Sequence, residues 1–273
     1  MSQTIMITGA SSGIGRATAA HFADQGWNVI ATMRRPEAGA ELGQRENVLV
    51  ARLDVTESAS IAAAVEAGID RFGKIDVLVN NAGYGAFGLL ETFSMDAVRR
   101  QFDTNVIGLI ETTKALIPHF RANKSGMFVN VSSIGGRVTF PLGSLYHGTK
   151  FAVEGLSEAL HYEMAPIGVK VKIIEPGGVK TDFAGRSLDV AVDPALTEYD
   201  PIVTPMMAMV SNQSAEIAGP EDVAEVIFTA VTDGTDTLRY RGTHDAHETL
   251  DRRASEDDAT YFTGMKQRLG IAV

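Results

Sequence analysis

The sequence predicts an α/β protein with a doubly wound parallel sheet, and three observations support this prediction. Short apolar, β-branched segments alternate with helical patterns from the start of the chain as far as Pro176. These segments carry few polar residues on either face, as strands do when helices cover both sides of a sheet. A glycine-rich turn, TGASSGIG over residues 8–15, joins the first strand segment to the first helical segment.

The predicted elements follow one another in the order that such a sheet requires. Strands are predicted over residues 4–8, 28–33, 48–55, 75–80, 126–132 and 169–176, and helices over 13–25, 58–72, 94–122 and 146–166. In the second helix, Ser58 is the expected N-cap and Gly73 the expected residue after the C-terminus. Beyond Pro176 the pattern loosens into an apolar stretch at 183–215. A helix at 220–233, a strand at 237–242 and a charged helical tail at 244–270 follow.

Composition and charge exclude several classes of function. The 273 residues carry a formal net charge of −10, which argues against nucleic acid or an anionic membrane as the main partner. The chain contains no cysteine, so disulfides and thiolate-held metals are excluded, and no metal site is expected. We expect neither a signal peptide nor a membrane span, and a cysteine-free chain suits the cytoplasm.

The turn TGASSGIG fits two motifs of different chemistry. Gly9-Ala10-Ser11-Ser12-Gly13 matches G-x-S-x-G, the nucleophile turn of serine hydrolases. That turn draws part of its oxyanion hole from an earlier strand and its loop, and only one strand precedes Ser11. With glycines at 9, 13 and 15, the same stretch lets a phosphate approach a helix N-terminus. We therefore predict a nucleotide site here, and an ordinary tight turn is the alternative.

The end of the second predicted strand indicates which nucleotide binds. Arg34 lies about 20 residues after Gly15, where a dinucleotide fold contacts the adenosine ribose, and Arg35 follows it. This strand end carries no carboxylate that could bind a ribose 2′-hydroxyl. Guanidinium groups suit a 2′-phosphate, so the sequence predicts NADPH in preference to NADH. Two solvated surface arginines are the alternative interpretation.

A tyrosine and a lysine form the candidate catalytic pair. Tyr146 and Lys150 in YHGTK are four residues apart in a helical pattern, so their side chains share one face. A nearby ammonium group lowers the pKa of a tyrosine, which can then exchange a proton with a carbonyl or an alcohol. Ser132 and Ser133 end the preceding strand, where ligands bind in such sheets. Alternation along a strand predicts that only one of the two faces the site.

Seven motifs together resemble those of the short-chain dehydrogenases/reductases over residues 4–182. They are TGASSGIG (8–15), LDVT (53–56), NNAG (80–83), TNVIG (104–108), VNVSS (129–133), YHGTK (146–150) and PGGVKT (176–181). The resemblance implies an NADP(H)-dependent oxidoreductase of the carbonyl reductase or alcohol dehydrogenase type. It implies one Rossmann-type domain over 1–273, with a cofactor-binding and catalytic core at 1–182, a substrate lid at 183–219 and a helical tail at 244–273.

The resemblance also implies roles for individual residues. Tyr146 is the expected acid/base, Ser133 the serine that polarises the carbonyl, and Lys150 the neighbouring cation. Asn105 is expected to anchor a water that relays protons to the lysine. Contacts with the cofactor are expected at Gly9, Ser11, Ser12, Gly13, Ile14, Gly15, Arg34, Arg35, Asp54, Val55, Asn81, Ala82, Gly83, Tyr146, Lys150, Pro176, Gly177, Val179 and Thr181.

The substrate site is expected among variable segments that are mostly apolar. Substrate contacts are predicted at Ser133, Tyr146, Tyr84, Leu142 and Phe183. A small-molecule substrate that is a hydrophobic ketone or aldehyde would fit such a lining. The alternative is that the apolar residues pack a lid helix and line nothing; they include Phe87, Leu89, Phe140, Leu145, Leu188, Met206, Met207 and Met209.

Two features depart from the common pattern of the family. His147 follows the tyrosine where a small residue is usual, and we favour a packing role for it over contact with substrate. The tail at 244–273 would obstruct the contact between C-termini found in many tetramers of the family, so a homodimer is expected and a tetramer is the alternative. The segment LRYRG followed by a helical tail resembles the hydroxysteroid and retinol dehydrogenase branch.

Three other functions remain as alternatives to the reductase. They are a cofactor-binding sensor without turnover, an epimerase or dehydratase that regenerates its cofactor, and a hydrolase with Ser11 as nucleophile. The sequence retains Asn105, Ser133, Tyr146 and Lys150, which favours an active reductase over the sensor.

Overall fold

The computed structural model describes residues 2–181, 188–211 and 217–270, and its centre is a parallel sheet of seven strands. The described strands are β1 (Thr4–Ile7), β2 (Asn28–Met33), β3 (Val48–Arg52), β4 (Val77–Asn80), β5 (Gly85–Gly88), β6 (Gly126–Val131), β7 (Val169–Glu175), β8 (Leu188–Ala191) and β9 (Arg239–Arg241). The order in the central sheet is β3-β2-β1-β4-β6-β7-β9. Because the order reverses between β1 and β4, the sheet is doubly wound, as predicted.

Helices cover both faces of this sheet. They are α1 (Gly13–Asp24), α2 (Ser58–Phe72), α3 (Met95–Phe102), α4 (Gly108–Asn123), α5 (Ser144–Met164), α6 (Asp200–Ser211), α7 (Pro220–Thr232), α8 (His244–Ser255) and α9 (Asp258–Arg268). Gly73 ends α2 with a φ of 83°, as predicted, whereas the N-cap is Glu57 and Ser58 is the first helical residue. The predicted tail is helical but divided, because the Asp257 side chain accepts a hydrogen bond from the Thr260 N–H and starts a new helix.

Successive residues of β1 point to opposite faces of the sheet, and both faces are buried. Ile5 and Ile7 pack in one apolar cluster with Phe22 of α1. Met6 packs in a second cluster with Phe120 of α4. All of these side chains are at most 1% exposed. Burial on both faces is the physical reason why the strands are apolar throughout rather than alternating.

The helix predicted over 94–122 is interrupted by a wider turn. α3 ends at Phe102, a π-helical turn occupies Asp103–Ile107, and α4 starts at Gly108. Such a turn adds one residue without ending the helix, so the sequence prediction of one continuous helix misses it. Its effect is to bury Asn105, which is 3% exposed.

The segment after β7 contains structure that the loose sequence pattern did not predict. β8 pairs in parallel with β5 and forms a separate two-stranded sheet. Met206 of α6 packs with Leu89, Leu142 and, from the C-terminal tail, Leu269. The C-terminal tail therefore shares an apolar cluster with α6. Among the helices that the structure describes, none combines the length and apolar character needed to cross a membrane.

Candidate active site

The predicted site residues converge on one cleft of about 860 Å³ at the carboxyl ends of the central strands. This is the edge at which ligands bind in doubly wound sheets. The predicted residues on its wall are Gly9, Ser11, Ser12, Gly13, Ile14, Arg34, Asp54, Val55, Asn81, Ala82, Gly83, Tyr84, Ser133, Tyr146, Lys150, Pro176, Gly177, Val179 and Thr181. Four predicted residues do not border it in the described part of the chain: Gly15, Arg35, Asn105 and Leu142.

The loops after β1 and β4 touch at the glycine turn. Gly9 has a φ of 70°, and a Cβ there would lie 2.9 Å from the Cα of Ala82. The Asn81 side-chain amide donates hydrogen bonds to the carbonyl oxygens of Thr8 (2.9 Å) and Gly9 (3.2 Å). Gly15 lies beneath the turn, because a Cβ there would be 2.5 Å from the Gly9 oxygen. Gly15 therefore packs beneath the turn, and its expected contact with the cofactor stays a prediction.

The start of α1 is open toward the cleft. Gly13 begins the helix with a φ of 52°, and the side chain of the N-cap residue Ser12 makes no capping hydrogen bond. The backbone N–H groups of a helix's first turn have no partners within the helix and attract anions. A Cβ on Gly13 would lie 3.4 Å from Cγ2 of Thr181, so the loop after β7 faces this helix end. These features suit a phosphate group.

The two arginines after β2 are exposed and lie beside the glycine turn. Arg34 borders the main cleft, and Arg34, Arg35 and Ser11 line an adjoining recess of about 230 Å³. Arg35 thus belongs to the recess rather than to the main cleft. Within the described chain, neither guanidinium forms an ion pair with a carboxylate. Both positive charges remain available to an anionic ligand.

Tyr146 and Lys150 lie on the first turns of α5 and face the cleft together. The Lys150 Nζ atom is 5.8 Å from the centre of the Tyr146 ring and donates a hydrogen bond to the Val131 carbonyl oxygen at 2.9 Å. Burial lowers the pKa of Lys150 to about 8, and the charge of Glu154 opposes this shift. The lysine is therefore mostly cationic at neutral pH, and it loses its proton as the pH rises through about 8.

The pKa of Tyr146 departs from the sequence-based expectation. Burial raises it, and a hydrogen bond with the Ser133 hydroxyl lowers it by a smaller amount. The lowering predicted from the Lys150 charge is not found, and the loss of solvent around the phenol sets the direction of the shift. A tyrosine in this state keeps its proton at neutral pH and can give it away.

Both serines after β6 border the cleft, but they present different groups to it. The Ser132 hydroxyl is buried beside Gly136 and Glu154, so the hydroxyl that meets Tyr146 is that of Ser133, in line with the alternation expected along the strand. The Ser133 oxygen accepts a hydrogen bond from the Gly135 N–H at 3.0 Å. Only Ser133 also hydrogen-bonds Tyr146. The second serine lies deeper, 3% exposed.

Asn105 acts on the site through the chain after β4 rather than from the wall of the cleft. Its Oδ1 accepts a hydrogen bond from the Tyr84 N–H at 3.0 Å, and its Nδ2 donates to the Tyr84 carbonyl oxygen at 2.9 Å. The side chain of Gln101 donates to the same carbonyl at 2.8 Å. The π-helical turn therefore fixes the backbone of a residue that lines the cleft.

His147 packs within the protein, as favoured from the sequence. Its Nε2 accepts a hydrogen bond from the Phe140 N–H at 2.9 Å, so Nδ1 carries the proton and donates to the Gly135 oxygen at 2.9 Å. Burial lowers the pKa of this histidine. It connects the loop after β6 to the start of α5 and so helps to position Tyr146.

The substrate end of the cleft differs from the predicted apolar lining. Leu142 is buried in the cluster around α6, so the predicted contact with substrate is corrected to a packing role. Phe183 lies outside the described residues. Polar and charged groups that the sequence reasoning missed border the cleft near Tyr84: Arg100, Asp103, Thr104 and Asp189. Arg100 pairs with Asp189 of β8 at 3.4 Å.

Comparison with known proteins places this geometry among oxidoreductases. An uncharacterized oxidoreductase of Schizosaccharomyces pombe is 44% identical over 239 residues, which cover 88% of this chain and all of the relative. Retinol dehydrogenase 8 of Bos taurus is 34% identical and covers 88% of this chain and 81% of its own length. The chain is therefore similar to a retinol dehydrogenase, while the predicted nearness to that branch stays a prediction.

Solved structures share the fold over nearly the whole chain. A short-chain dehydrogenase from Streptomyces avermitilis has a TM-score of 0.83 and 34% identity, and the match covers 99% of this chain and 98% of that one. ElxO with NADP bound is 27% identical, with a TM-score of 0.72, and the match covers 89% of this chain and 98% of ElxO. A 3-ketoacyl-(acyl-carrier-protein) reductase from Brucella melitensis with NADH is also 27% identical, with a TM-score of 0.74, and the match covers 88% of this chain and 97% of that one. A family model of the short chain dehydrogenases matches residues 3–189. The chain belongs to the short-chain dehydrogenase family.

Proposed function

We propose that this oxidoreductase is an NADPH-dependent carbonyl reductase in which Tyr146 is the acid. The observation that carries the proposal is the grouping of Tyr146, Ser133 and Lys150 on one cleft wall. A hydrogen-bonded pair of hydroxyl groups beside a buried ammonium can hold a carbonyl oxygen and protonate it. The same groups serve the reverse oxidation of a secondary alcohol.

The cleft fits a nicotinamide dinucleotide in three respects. The open start of α1 and the glycine turn suit its diphosphate, since a side chain at Gly9 would fill the space beside Ala82. The loop from Pro176 to Thr181 borders the same cleft and is proposed to contact the nicotinamide. Arg34 and Arg35 offer positive charge for a 2′-phosphate, whereas the solved relatives include both NADP-bound and NADH-bound proteins. The preference for NADPH therefore rests on the two arginines.

The chain's own residues supply the acid and hold the carbonyl. When bound, the nicotinamide supplies the hydride that reaches the carbonyl carbon. Ser133 donates a hydrogen bond to the carbonyl oxygen and holds it beside the Tyr146 hydroxyl, which gives up its proton. The Lys150 ammonium then stabilises the phenolate that remains.

We propose a hydrophobic ketone or aldehyde as the substrate. The ring of Phe87 lies 5.1 Å from the ring of Tyr146 and gives the reacting group an apolar neighbour. Retinol dehydrogenase 8, to which this chain is similar, is named for an apolar alcohol. Leu188 also borders the cleft, whereas most of the other predicted apolar residues pack around α6, so the preference rests on Phe87, Leu188 and this similarity.

Consumption of NADPH by the purified protein tests the proposal. The panel should run from small polar ketones to steroid- and retinal-sized carbonyl compounds, with NADH as the second cofactor. We expect turnover with NADPH, highest for bulky apolar compounds. Binding of NADPH without turnover of any compound would favour the sensor, and conversion of substrate without net loss of NADPH would favour an epimerase.

The pH dependence of kcat/KM for NADPH is expected to follow the ionisation of the Lys150 ammonium group. This parameter reports groups of the free enzyme, and the pKa of Lys150 is about 8. As the pH rises through that value the ammonium loses its charge, so kcat/KM is expected to fall about tenfold for each further pH unit. A profile that stays flat to pH 10 would contradict the role of Lys150.

Substitution of Glu154 tests the same assignment. The charge of Glu154 raises the pKa of Lys150, so Glu154→Gln is expected to move the alkaline fall to lower pH. Glu154 is 4% exposed and accepts a 3.0 Å hydrogen bond from Arg239. The charge of Arg137 lowers the pKa of Glu154, and the charge of Glu154 in turn raises the pKa of Glu175. Glu163→Gln, an exposed change on the last turn of α5, is the matched control and is expected to leave the profile unchanged.

We also propose a homodimer in the cytoplasm. Phe102 and Phe151 are 36% and 47% exposed, and Phe102 lies next to Gly148 of α5, so these side chains form one apolar surface. An exposed apolar surface of this kind is suited to a second copy of the chain. Light scattering on the purified protein is expected to give twice the 29.1 kDa chain mass.

A further inference from the structure

The start of α8 reaches back to the loop that follows β7. The Oδ2 atom of Asp245 accepts a hydrogen bond from the Gly178 N–H at 2.8 Å. The Oγ1 atom of Thr243 accepts one from the Gly177 N–H, also at 2.8 Å. Two consecutive backbone amides on the wall of the cleft are therefore held by side chains from the last part of the described chain.

The shape of the loop matches this contact. A Cβ on Gly177 would lie 2.5 Å from the Cγ of Asp245, so the absence of a side chain makes room for the carboxylate. A Cβ on Gly242 would likewise lie 3.0 Å from the Cα of Pro176. The Gly242 N–H also donates to the Glu175 carbonyl oxygen at 2.9 Å. Residues 242–245 thus fit closely against the loop along its first three residues.

We propose that Asp245 and Thr243 are positioning residues that hold the Gly177–Gly178 backbone in the shape that binds the nicotinamide end of the cofactor. The inference rests on the proposed function, which places the nicotinamide beside this loop. A loop that is already ordered loses less conformational entropy when a ligand binds. The C-terminal tail is then part of the cofactor site as well as of the apolar cluster around α6.

Loss of this contact is not expected to undock the tail. Leu250 of α8 and Tyr261 of α9 remain packed against Val138 through a separate apolar cluster. Asp245 itself is exposed, so its removal leaves no buried cavity. Asp245→Ala should therefore fold and should change the loop alone.

The first test compares the full-length wild type with Asp245→Ala, Asp245→Asn and Thr243→Val. Without cofactor, deuterium exchange of the peptide that contains Gly177 and Gly178 is expected to be faster in Asp245→Ala. Its Kd for NADPH, measured by fluorescence titration, is expected to rise about tenfold. Asp245→Asn keeps an acceptor oxygen and should be intermediate. Thr243→Val should speed exchange at Gly177.

Asp251→Ala is the matched control for this series. Asp251 lies on the same helix and pairs with Arg241 at 2.7 Å, away from the Gly177–Gly178 amides. It is expected to match the wild type in exchange and in NADPH binding. Wild-type exchange and wild-type Kd in Asp245→Ala would overturn the proposal. Failure of the wild type to bind NADPH would instead overturn the proposed function, while the exchange data would still report on the contact.

A double-mutant cycle tests whether Asp245 and Gly177 act on each other directly. In the wild-type background, Gly177→Ala places a methyl group against the carboxylate and should weaken NADPH binding. With Asp245→Ala already present, that collision is gone, and Gly177→Ala should cost much less. If Gly177→Ala weakens NADPH binding by the same factor with and without Asp245→Ala, a direct contact between the two residues would be contradicted.

Discussion

Replacing Tyr146 with phenylalanine is expected to lower kcat for carbonyl reduction about 1,000-fold and to leave the Kd for NADPH unchanged. The change removes one oxygen atom from the first turns of α5 and keeps the aromatic ring that packs against Phe87. Ser133 can still hold the carbonyl oxygen, but it has no adjacent acid to supply the proton. Because burial raises the pKa of Tyr146, the hydroxyl that is lost is a protonated one at neutral pH.

Stopped-flow oxidation of NADPH with the best ketone from the panel measures this loss. Tyr162→Phe is the matched control, since Tyr162 lies on the same helix and is 76% exposed. It should retain wild-type kcat. A fall of less than tenfold in the Tyr146 variant would show that another group supplies the proton, and the proposed mechanism would then fail.

The central sheet and the pairing of Tyr146 with Lys150 were accessible from the sequence because both depend on local spacing. Strands that are buried on both faces are apolar throughout, as Ile5, Met6 and Ile7 illustrate. The four-residue interval between Tyr146 and Lys150 places both on one face of any helix. The glycine turn is similarly local, since the positive φ of Gly9 is a property of one residue.

The remaining features depend on contacts between distant segments, which no single segment encodes. Asn105, within the π-helical turn, holds the backbone of Tyr84, and a pattern interpreted as one continuous helix does not predict that contact. Leu142 is apolar enough for a substrate pocket, but α6 and the tail cover it instead. Asp245 sits in a polar segment that has no distinctive pattern, and only the fold brings it to Gly178.

The proposed preference for NADPH over NADH can be tested at a single residue, Arg34. Arg34→Asp is expected to lower the ratio of kcat/KM for NADPH to kcat/KM for NADH by about 100-fold or more. Loss of a charge-assisted hydrogen bond costs about 1.5–3 kcal/mol, and the new carboxylate also repels a 2′-phosphate. The same carboxylate can accept hydrogen bonds from the ribose hydroxyls of NADH, so the two effects add in the ratio.

The position of Arg34 explains why this single change should suffice. It borders both the main cleft and the recess beside Ser11, whereas Arg35 borders the recess alone, so Arg35→Ala is expected to have a smaller effect. Arg121→Asp, which makes the same change of charge in the last turn of α4, controls for net charge and should leave the ratio unaltered. An unchanged ratio in Arg34→Asp would mean that the arginine is a solvated surface residue. The preference for NADPH would then lose its main support, while the acid role of Tyr146 would stand, because it depends on the other end of the cleft.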